Sequence, residues 1–501
     1  MRNGLIKGEG NFPLQLLSMK NTILTLSIFI LLLVSSCRKD KTKPPSTSCY
    51  PVAVANIIDT KCSVSGCHNT QSAAGAAGLD LSSWQTALQG DRNGAVVIPF
   101  AHKQSTVFLF CNTYDDLGTK VLPSMPLNTT PLSREEVITL RDWIDAGAPD
   151  CNGVTPFANY TTRKKVYITN QGCDVVSVID PETNLLMRYI SVGTAAGIEA
   201  PHRVQVSPDN SFWCVSFIGG TAIQKFSTAT DELLGQVELG SGSWNTFAIS
   251  NDGTKAYCAD WSASGKIVVV DLVNYQVLGS YSGLFFPHGT ALSANENFLY
   301  ATAQTGNHIY KLDVSDVQNI DETDITLDGS PSAIPSSIYD AHEIVFAPDM
   351  SKYFLTCQKS NEVRVMNAAN DSLLAVIPVG VYPQEMAIST STNYLFVTCT
   401  EDNVTYPGKR GSVYIIDYTN LTVVKNLFTG YQPHGVTIDE AQKKVFVAHR
   451  NVTTDGPAPH HSTECAGRNG YFTTIDLNTL ENIPNSKREI SVDPYSAAFK
   501  N

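Results

Sequence analysis

Residues 201–209 read PHRVQVSPD, and this short pattern decides the fold because it recurs along the chain. In each copy, a polar or aromatic residue follows a proline or the residue that replaces this proline. A short apolar strand comes next. From Lys164 onwards the copies follow one another at roughly 40 to 50 residues, which is the period of β-propeller blades. The seven copies lie at residues 201–209, 243–253, 287–293, 341–349, 383–389, 433–439 and 494–499.

Pairs of apolar strands, such as residues 165–170 and 175–180, lie between the copies, so that each unit has four strands. The last copy is C-terminal, whereas the first unit, which begins at Lys164, lacks a first strand of its own. We therefore expect the C-terminal strand to complete the first of about seven blades and to close the ring without free sheet edges. Residues 414–417 and 474–476 resemble the second strand of YVTN repeats. This resemblance implies an all-β propeller over residues 156–501.

A second pattern, CSVSGCH at residues 62–68, carries the strongest chemical signal of the chain. A c-type haem needs two thiols for its vinyl groups and a histidine directly after the second thiol for its iron. The usual spacing is C-x-x-C-H, and the spacing here is two residues longer. The pattern predicts Cys62 and Cys67 as haem thioethers and His68 as the proximal iron ligand. The alternative is a disulfide between the two cysteines beside an uninvolved histidine.

The surrounding residues resemble the cytochrome c domain family of large exported bacterial proteins. The matching segments read GLDLSSW at 78–84, VIP at 97–99, PSMPL at 123–127 and LSREEVITLRDWIDAGA at 132–148. The resemblance implies a small all-α domain over residues 51–155 with one covalent haem c. The last segment also predicts a helix from its own residues, because Ser133 and Glu136 can form a capping box before apolar residues at helical spacing.

Two residues could supply the sixth ligand of the haem iron. Met125 lies in the Met-Pro context of the resemblance, and a thioether ligand favours Fe(II) and raises the reduction potential. His102 is the alternative, and it would give a bis-histidine site of lower potential. A single methionine is more often a packing residue than a ligand, but the Met-Pro context favours Met125.

The N-terminal region contains a long apolar run at residues 22–34, preceded by Lys20. About a dozen residues are short for a membrane-spanning helix and suit the apolar region of a signal peptide. The run ends in LVSSC, which resembles the lipobox of bacterial lipoproteins. The resemblance implies removal of residues 1–36, a lipid on Cys37, a flexible tether over residues 37–50, and a lipid-anchored protein in the cell envelope, facing the periplasm or the outer surface. An ordinary signal peptide with a chance cysteine is the alternative, and translation could start at Met1 or Met19.

Export would bring the remaining cysteines into an oxidising compartment, where disulfides form and persist. Cys111 and Cys151 form a plausible disulfide, although a pair between Cys49 and either of them stays open. Cys173 lies in a turn of blade 1 and Cys465 in the matching loop of blade 7. Closure makes these blades neighbours, which predicts a second disulfide. Four cysteines at equivalent positions in second strands are predicted to be buried free thiols: Cys214, Cys258, Cys357 and Cys399.

The residue after the proline of each copy is expected to face the central channel of the propeller. Around the ring these residues are Tyr495, His202, Trp244, His288, His342, Gln384 and His434. One hypothesis is a metal or redox-cofactor site with His202, His288, His342 and His434 as ligands and Glu343 or Glu385 nearby. The alternative is a structural role, in which each imidazole hydrogen-bonds a loop of the neighbouring blade. The long connection of blade 7 adds His460 and His461 on the same face.

Composition limits the possible functions. Hydrophobic residues make up 43% of the chain and charged residues 16%, as in folded globular domains, and the net charge of -12 argues against a nucleic-acid partner. The leading prediction is an electron-transfer protein with one haem c and a propeller that docks a redox partner protein. The alternative is a periplasmic oxidoreductase with a catalytic centre at the His-lined rim. A third class is a surface lipoprotein in which the haem is incidental, and the sequence assigns no catalytic residues.

Overall fold

The computed structural model describes residues 48–336, 338–452, 465 and 467–501. The predicted lipidation site at Cys37 and the histidines at positions 460 and 461 lie outside these residues. Residues 48–163, called here the helical segment, contain α1 Val52–Ile57, α2 Trp84–Gln89, α3 Thr106–Cys111 and α4 Arg134–Asp145. A π-helical turn at Ile58–Cys62 and 3-10 turns at Ala73–Gly75, His102–Gln104 and Asp115–Leu117 complete it. In the described part of the chain, no helix has the length and apolar character needed to cross a lipid bilayer.

The last helix of the segment, α4, forms for the reasons that its sequence predicts. Ser133 Oγ accepts a hydrogen bond from Glu136 N, and the Glu136 carboxylate accepts one from Ser133 N, so the capping box is complete. Val137, Leu140 and Ile144 form its buried face. Burial of this face fixes α4 against the core of the helical segment, and the predicted helix is confirmed.

The rest of the chain forms a seven-bladed β-propeller. Blade 1 contains β1 Lys165–Asn170, β2 Val175–Asp180 and β3 Leu185–Ser191. Blade 2 contains β4 Pro201–Val206, β5 Phe212–Phe217, β6 Ala222–Ser227 and β7 Leu233–Glu238. Blade 3 contains β8 Trp244–Ile249, β9 Lys255–Asp260, β10 Gly265–Asp271 and β11 Gln276–Leu284. Blade 4 contains β12 Pro287–Leu292, β13 Phe298–Ala303, β14 His308–Asp313 and β15 Asp321–Thr326.

The remaining blades follow in chain order. Blade 5 contains β16 Ala341–Phe346, β17 Lys352–Cys357, β18 Glu362–Asn367 and β19 Leu373–Pro378. Blade 6 contains β20 Pro383–Ile388, β21 Tyr394–Cys399, β22 Ser412–Asp417 and β23 Thr422–Leu427. Blade 7 contains β24 Pro433–Asp439, β25 Lys444–His449, β26 Tyr471–Asp476, β27 Glu481–Asn482 and β28 Arg488–Glu489. The chain ends in β29 Pro494–Lys500.

The C-terminal strand closes the ring. β29 pairs antiparallel with β1, which gives blade 1 the order β29-β1-β2-β3. Lys165 lies opposite Lys500, and Val166 lies opposite Phe499. Backbone hydrogen bonds therefore join the two ends of the propeller, and the predicted closure is confirmed.

A repeated side-chain bond joins neighbouring blades. A threonine on the second strand of one blade donates a hydrogen bond to a backbone carbonyl of the next blade. The accepting residue is the second residue of the repeated pattern, which follows the proline or the residue that replaces it. These bonds are Thr169 to His202 (3.0 Å), Thr302 to His342 (2.9 Å), Thr356 to Gln384 (2.8 Å) and Thr398 to His434 (2.8 Å). They hold the inner strands in a fixed register around the channel.

The helical segment packs against the propeller where blade 7 is incomplete. The outer strand of blade 7 is reduced to two short pieces, β27 and β28, which both pair with β26. Two side chains of the helical segment, Ala95 and Ile98, enter the apolar cluster between blades 7 and 1. This cluster also contains Val166, Ile168, Ile179, Leu186, Phe446, Ala448, Phe472 and Ile490. The helical segment therefore shares an apolar cluster with blades 7 and 1.

Polar contacts hold the same interface. Arg468, in the long connection of blade 7, donates through Nη2 to the carbonyls of Ala95 at 2.5 Å and Gln104 at 3.1 Å. The Arg188 guanidinium of blade 1 lies 4.6 Å from the centre of the Phe100 ring. Ser48–Asn501 form one compact unit.

Candidate functional site

The C-x4-C-H residues lie in a tight loop directly after α1. The loop is closed by backbone hydrogen bonds, from His68 N to the Cys62 carbonyl at 3.0 Å and from Cys67 N to the Val64 carbonyl at 3.1 Å. Gly66 has a φ of +82°, a left-handed conformation that favours glycine. The loop therefore brings the backbone of His68 back to that of Cys62, although the spacing is two residues longer than usual.

Both cysteines of this loop are free thiols. Cys62 is buried in the apolar cluster of the helical segment, whereas Cys67 is half-buried. Burial raises the pKa of the Cys62 thiol to about 12, so that the sulfur keeps its proton at neutral pH. The alternative interpretation of the sequence, a Cys62–Cys67 disulfide, is wrong.

His68 offers a neutral ring nitrogen. Burial lowers the pKa of its imidazole, so the ring is uncharged at pH 7. Its Nδ1 is buried and has no hydrogen-bond partner among the described residues. A buried polar atom without a partner is unfavourable, although the backbone of Leu79 lies close enough to the imidazole to oppose part of the pKa decrease.

The loop residues do not form a cluster for a directly coordinated ion. Among the described residues, one group of three His, Cys, Asp or Glu side chains has its ligand atoms within 4.8 Å of one another, and it consists of Cys49, Asp150 and Cys151. The two cysteines of that group are joined in a disulfide. A structural Zn²⁺ site needs four converging ligands, whereas two thiols and a neighbouring imidazole are the donor set for haem c.

Met125 and His102, the two predicted distal ligands, have different surroundings. Met125 packs against the apolar cluster that contains Cys62, and its backbone N–H donates to the Phe110 carbonyl at 2.8 Å. His102 Nδ1 lies 2.7 Å from the Asp145 carboxylate at the surface. Met125 therefore packs on the same apolar cluster as Cys62, while the Asp145 carboxylate contacts His102.

One predicted disulfide of the helical segment is wrong. Cys151 pairs with Cys49 and not with Cys111. The backbone of Cys151 donates to the Cys49 carbonyl at 2.8 Å, so the two chain segments lie side by side. α3 carries Cys111 into the apolar cluster, where it is a buried free thiol. Burial raises the pKa of Cys111, and the nearby Cys62 adds to this effect.

The cysteines of the propeller lie where the blade positions predict them. Cys173 and Cys465 form a disulfide that joins blade 1 to blade 7. The four cysteines on second strands, Cys214, Cys258, Cys357 and Cys399, are buried free thiols. Burial raises the pKa of each of them, which keeps them protonated and unreactive as small apolar residues.

Five aromatic rings close the channel of the propeller. Four imidazoles and one phenol form a complete circuit of neighbouring rings, and all five residues are buried. The centroid separations are 4.2 Å for Tyr495–His202, 5.8 Å for His202–His288, 4.0 Å for His288–His342, 6.0 Å for His342–His434 and 3.6 Å for His434–Tyr495. This set is called the aromatic layer. Trp244 does not join it, because its side chain packs in the apolar cluster between blades 2 and 3.

The imidazoles of the aromatic layer bind the backbone of neighbouring blades. His288 Nδ1 lies 3.0 Å from the carbonyl of His342, and His434 Nδ1 lies 3.0 Å from the carbonyl of Tyr495. Burial lowers the pKa of His288 to about 3 and the pKa of His202, His342 and His434 well below its usual value, so all four rings are neutral. No three of their nitrogens form a ligand group within the described ranges. The geometry supports the structural role and gives the predicted metal site no ligand set.

A charged layer follows the aromatic layer along the channel. Arg203 Nη1 of blade 2 lies 3.0 Å from the Glu343 carboxylate of blade 5 and 2.8 Å from the Glu385 carboxylate of blade 6. Blades 5 and 6 are the third and fourth blades after blade 2, so Arg203 reaches across the channel to its opposite side. This set is called the charged layer, and it ties blade 2 to two blades that are not its neighbours along the ring.

The sequence interpretation missed Arg203. Its position, directly after the channel residue of the repeat, is glycine in blades 4 and 7 and glutamate in blades 5 and 6. A Cβ on Gly289 would lie 2.5 Å from the His342 carbonyl, so this position is crowded and tolerates a side chain only in some blades. At this repeat position, one blade has an arginine and two blades have a glutamate. These opposite charges were the signal that could have predicted ion pairs across the channel.

Comparisons with known proteins give distant similarities. No protein-family model matches the chain. Antigen Lp49 of Leptospira interrogans serovar copenhageni is 23% identical over 261 residues, which is 49% of this chain and 54% of that protein. The chain thus spans about half the length of the curated relative it matches.

Two solved structures match part of the chain. The Kuenenia stuttgartiensis hydrazine synthase has a TM-score of 0.46 and 16% identity, covering 61% of this chain and 88% of that chain. A functionally unknown protein from Desulfotomaculum acetoxidans has a TM-score of 0.49 and 12% identity, covering 66% of this chain and 99% of that chain. The seven-bladed architecture described above rests on the strand pairing of this chain itself.

Proposed function

We propose that this chain is an exported c-type haem protein that transfers electrons, with the propeller as a docking platform for a redox partner protein. One observation carries the proposal. Cys62 and Cys67 are free thiols in one short loop, and His68, which follows Cys67 directly, has a neutral imidazole. This donor set fits a covalently attached haem and lacks the convergence that a zinc ion needs.

The residues would have distinct roles around the haem, which supplies one-electron redox chemistry when bound. Cys62 and Cys67 would hold the group through thioether bonds, and His68 would bind the iron. Met125 is the proposed distal ligand, because it packs on the same apolar cluster as Cys62. The buried residues of that cluster exclude water, which raises the potential of a one-electron site by disfavouring its more charged state.

The contact between the helical segment and the propeller supports the docking role. Ile98 is fully buried between blades 7 and 1, and Arg468 binds carbonyls on both sides of it in the sequence. A partner bound to this part of the propeller would lie at a defined distance from the haem. Electron transfer needs such a defined approach, and a freely moving haem segment would not supply it.

The location of the protein is part of the proposal. The apolar run and the lipobox-like LVSSC predict export and a lipid on Cys37. Two disulfides within the described residues, Cys49–Cys151 and Cys173–Cys465, suit an oxidising compartment. We therefore place the protein in the cell envelope, anchored to a membrane by its lipid.

The haem assignment is tested by a pyridine haemochrome spectrum with metal analysis, on full-length protein purified from a host that matures c-type cytochromes. We expect one covalent haem per chain and no other stoichiometric metal. Cys67→Ser and His68→Ala should each reduce the covalent haem content, and Cys214→Ser, which changes a buried free thiol of the propeller, should leave it unchanged. Protein without covalent haem would overturn the proposal.

The distal ligand is tested separately by redox titration. Met125→Ala should lower the reduction potential, because it removes a thioether that favours Fe(II). His102→Ala should leave the potential close to that of the unmodified protein. The reverse pattern would assign the iron to His102 and remove Met125 from the site.

A further inference from the structure

The disulfide between blades 1 and 7 has one fixed end and one exposed end. Cys173 is buried, and the turn that carries it is held to the chain just before β29, because Gly172 N donates to the Val492 carbonyl at 3.2 Å. Cys465, at the other end, lies in the long connection of blade 7 and is exposed. A thiolate from outside the protein can attack an exposed disulfide sulfur. The disulfide is therefore open to exchange at Cys465.

Arg468 follows Cys465 by three residues and makes a polar contact between the propeller and the helical segment. Arg468 is buried, and its Nη2 donates to the backbone carbonyls of Ala95 and Gln104. A buried guanidinium is unfavourable unless hydrogen bonds replace the water that it has lost. Release to solvent would restore this hydration, so the buried position of Arg468 depends on how the chain on either side of it is held.

The chain is attached on both sides of Arg468. On the C-terminal side, Asn469 and Asn451 each donate through Nδ2 to the backbone carbonyl of the other. On the N-terminal side, the bond from Cys465 to Cys173 attaches the chain covalently to blade 1. Reduction of the disulfide removes the second of these attachments and leaves the first in place.

We propose that the Cys173–Cys465 disulfide is a reducible latch, which a dithiol protein opens and which controls the contact of Arg468 with the helical segment. A thiolate of the dithiol attacks the Cys465 sulfur, the bond to Cys173 breaks, and a mixed disulfide forms at Cys465. The second thiol of the dithiol then displaces Cys465 and leaves the partner oxidised to a disulfide. The two protons of the partner's thiols end on Cys173 and Cys465. The latch is independent of the proposed haem function.

The second disulfide, Cys49–Cys151, provides a matched control. Cys151 is also exposed, so an external thiolate reaches this disulfide as well. Both of its cysteines lie in the helical segment, and Cys151 N donates to the Cys49 carbonyl at 2.8 Å. This backbone bond keeps the two chain segments side by side without the covalent link. Loss of Cys49–Cys151 should therefore leave the contact of Arg468 unchanged.

The first test is amide hydrogen exchange of the full chain before and after treatment with dithiothreitol, with ascorbate in every sample so that any haem stays in one oxidation state. Alkylation and peptide mapping should show reduction of Cys173–Cys465 in the folded protein. We expect exchange over residues 93–106 to become roughly tenfold faster, as for the loss of one hydrogen bond to a charged group. Exchange in β12 and β13, on the opposite side of the ring, should not change. A reduced protein with unchanged exchange over residues 93–106, or a disulfide that is reduced only when the protein unfolds, would overturn the proposal.

The second test uses variants in the same exchange measurement. The pair Cys173→Ala and Cys465→Ala should give fast exchange over residues 93–106 without reductant, whereas the pair Cys49→Ala and Cys151→Ala should not. Arg468→Met should also speed this exchange, and dithiothreitol should then add less than about twofold, because the disulfide acts through Arg468. Effects of reduction and of Arg468→Met that simply multiply would overturn the proposal. The wild-type measurement stands even if a cysteine variant fails to fold.

Discussion

The fold raises the pKa of the Glu385 carboxyl. Burial raises its pKa, Arg203 opposes the rise, Glu343 reinforces it, and the result is a pKa of about 8 instead of the usual 4.5. The folded protein therefore binds this proton more tightly than the unfolded chain does. The stability that Glu385 contributes is fully present below about pH 4.5, is lost as the pH rises to about 8, and then stays constant.

Replacing Glu385 by glutamine keeps a neutral side chain of the same shape at every pH. We expect the free energy of unfolding of wild-type protein, relative to that of Glu385→Gln, to fall steadily between about pH 5 and about pH 8. Urea unfolding at several pH values measures this difference. The exposed variant Glu232→Gln should follow wild type throughout. A constant difference across the range would mean that Glu385 does not change its protonation there.

Single residues also show what the sequence can and cannot reveal. The free thiols of Cys214 and Cys357 and the capping box of Ser133 follow from position in a repeat or from local spacing, and the structure confirms them. The pairing of Cys151 with Cys49 does not follow from spacing, because it depends on which segment the fold brings alongside. The ion pairs of Arg203 across the channel also depend on the fold and not on sequence spacing, since its partners lie in blades on the opposite side of the ring.

At the scale of elements, the insertion of Ile98 between blades 7 and 1 is one of the contacts that join the helical segment to the propeller. Ile98→Ala removes a fully buried side chain and should reduce the free energy of unfolding by about 2 to 5 kcal/mol. The cavity borders Phe446 and Phe472. We therefore expect faster amide hydrogen exchange in β25 and β26, measured by mass spectrometry.

Leu109→Ala is the matched control for this contact. Leu109 is equally buried, but it packs in the apolar cluster of the helical segment itself. Its replacement should speed exchange in α3 and α4 and leave β25 and β26 as in wild type. Equal effects of the two variants on the blade 7 strands would contradict a specific role for Ile98.

Elements were predictable where the chain repeats itself and not where it breaks the repeat. Seven copies of one pattern predict seven blades. The first unit lacks a first strand and the C-terminus has an extra strand, which predicts that the C-terminal strand closes the ring. Blade 7 departs from the pattern, because its outer strand is split into β27 and β28. Ala95 and Ile98 pack into the cluster between blades 7 and 1, and a contact so distant in sequence leaves no periodic signal in either segment.

At the scale of the whole molecule, the ring is held by several independent connections. β29 pairs with β1 along its length, the Cys173–Cys465 disulfide joins blades 1 and 7, and Arg203 links blade 2 to blades 5 and 6. The disulfide and the charged layer act through side chains at single points. β29 also supplies the inner strand of blade 1, so it contributes backbone hydrogen bonds and part of the wall of the channel.

Removal of residues 494–501 should therefore have a much larger effect than loss of any single side chain. β1 would become an exposed strand edge, and such edges pair with other chains. The aromatic layer would lose Tyr495, which contacts both His202 and His434. We expect aggregation in size-exclusion chromatography and loss of the cooperative thermal transition seen by circular dichroism, while removal of Asn501 alone should change neither. A monomeric truncated protein with a wild-type transition would mean that the disulfide and the charged layer suffice to hold the ring closed.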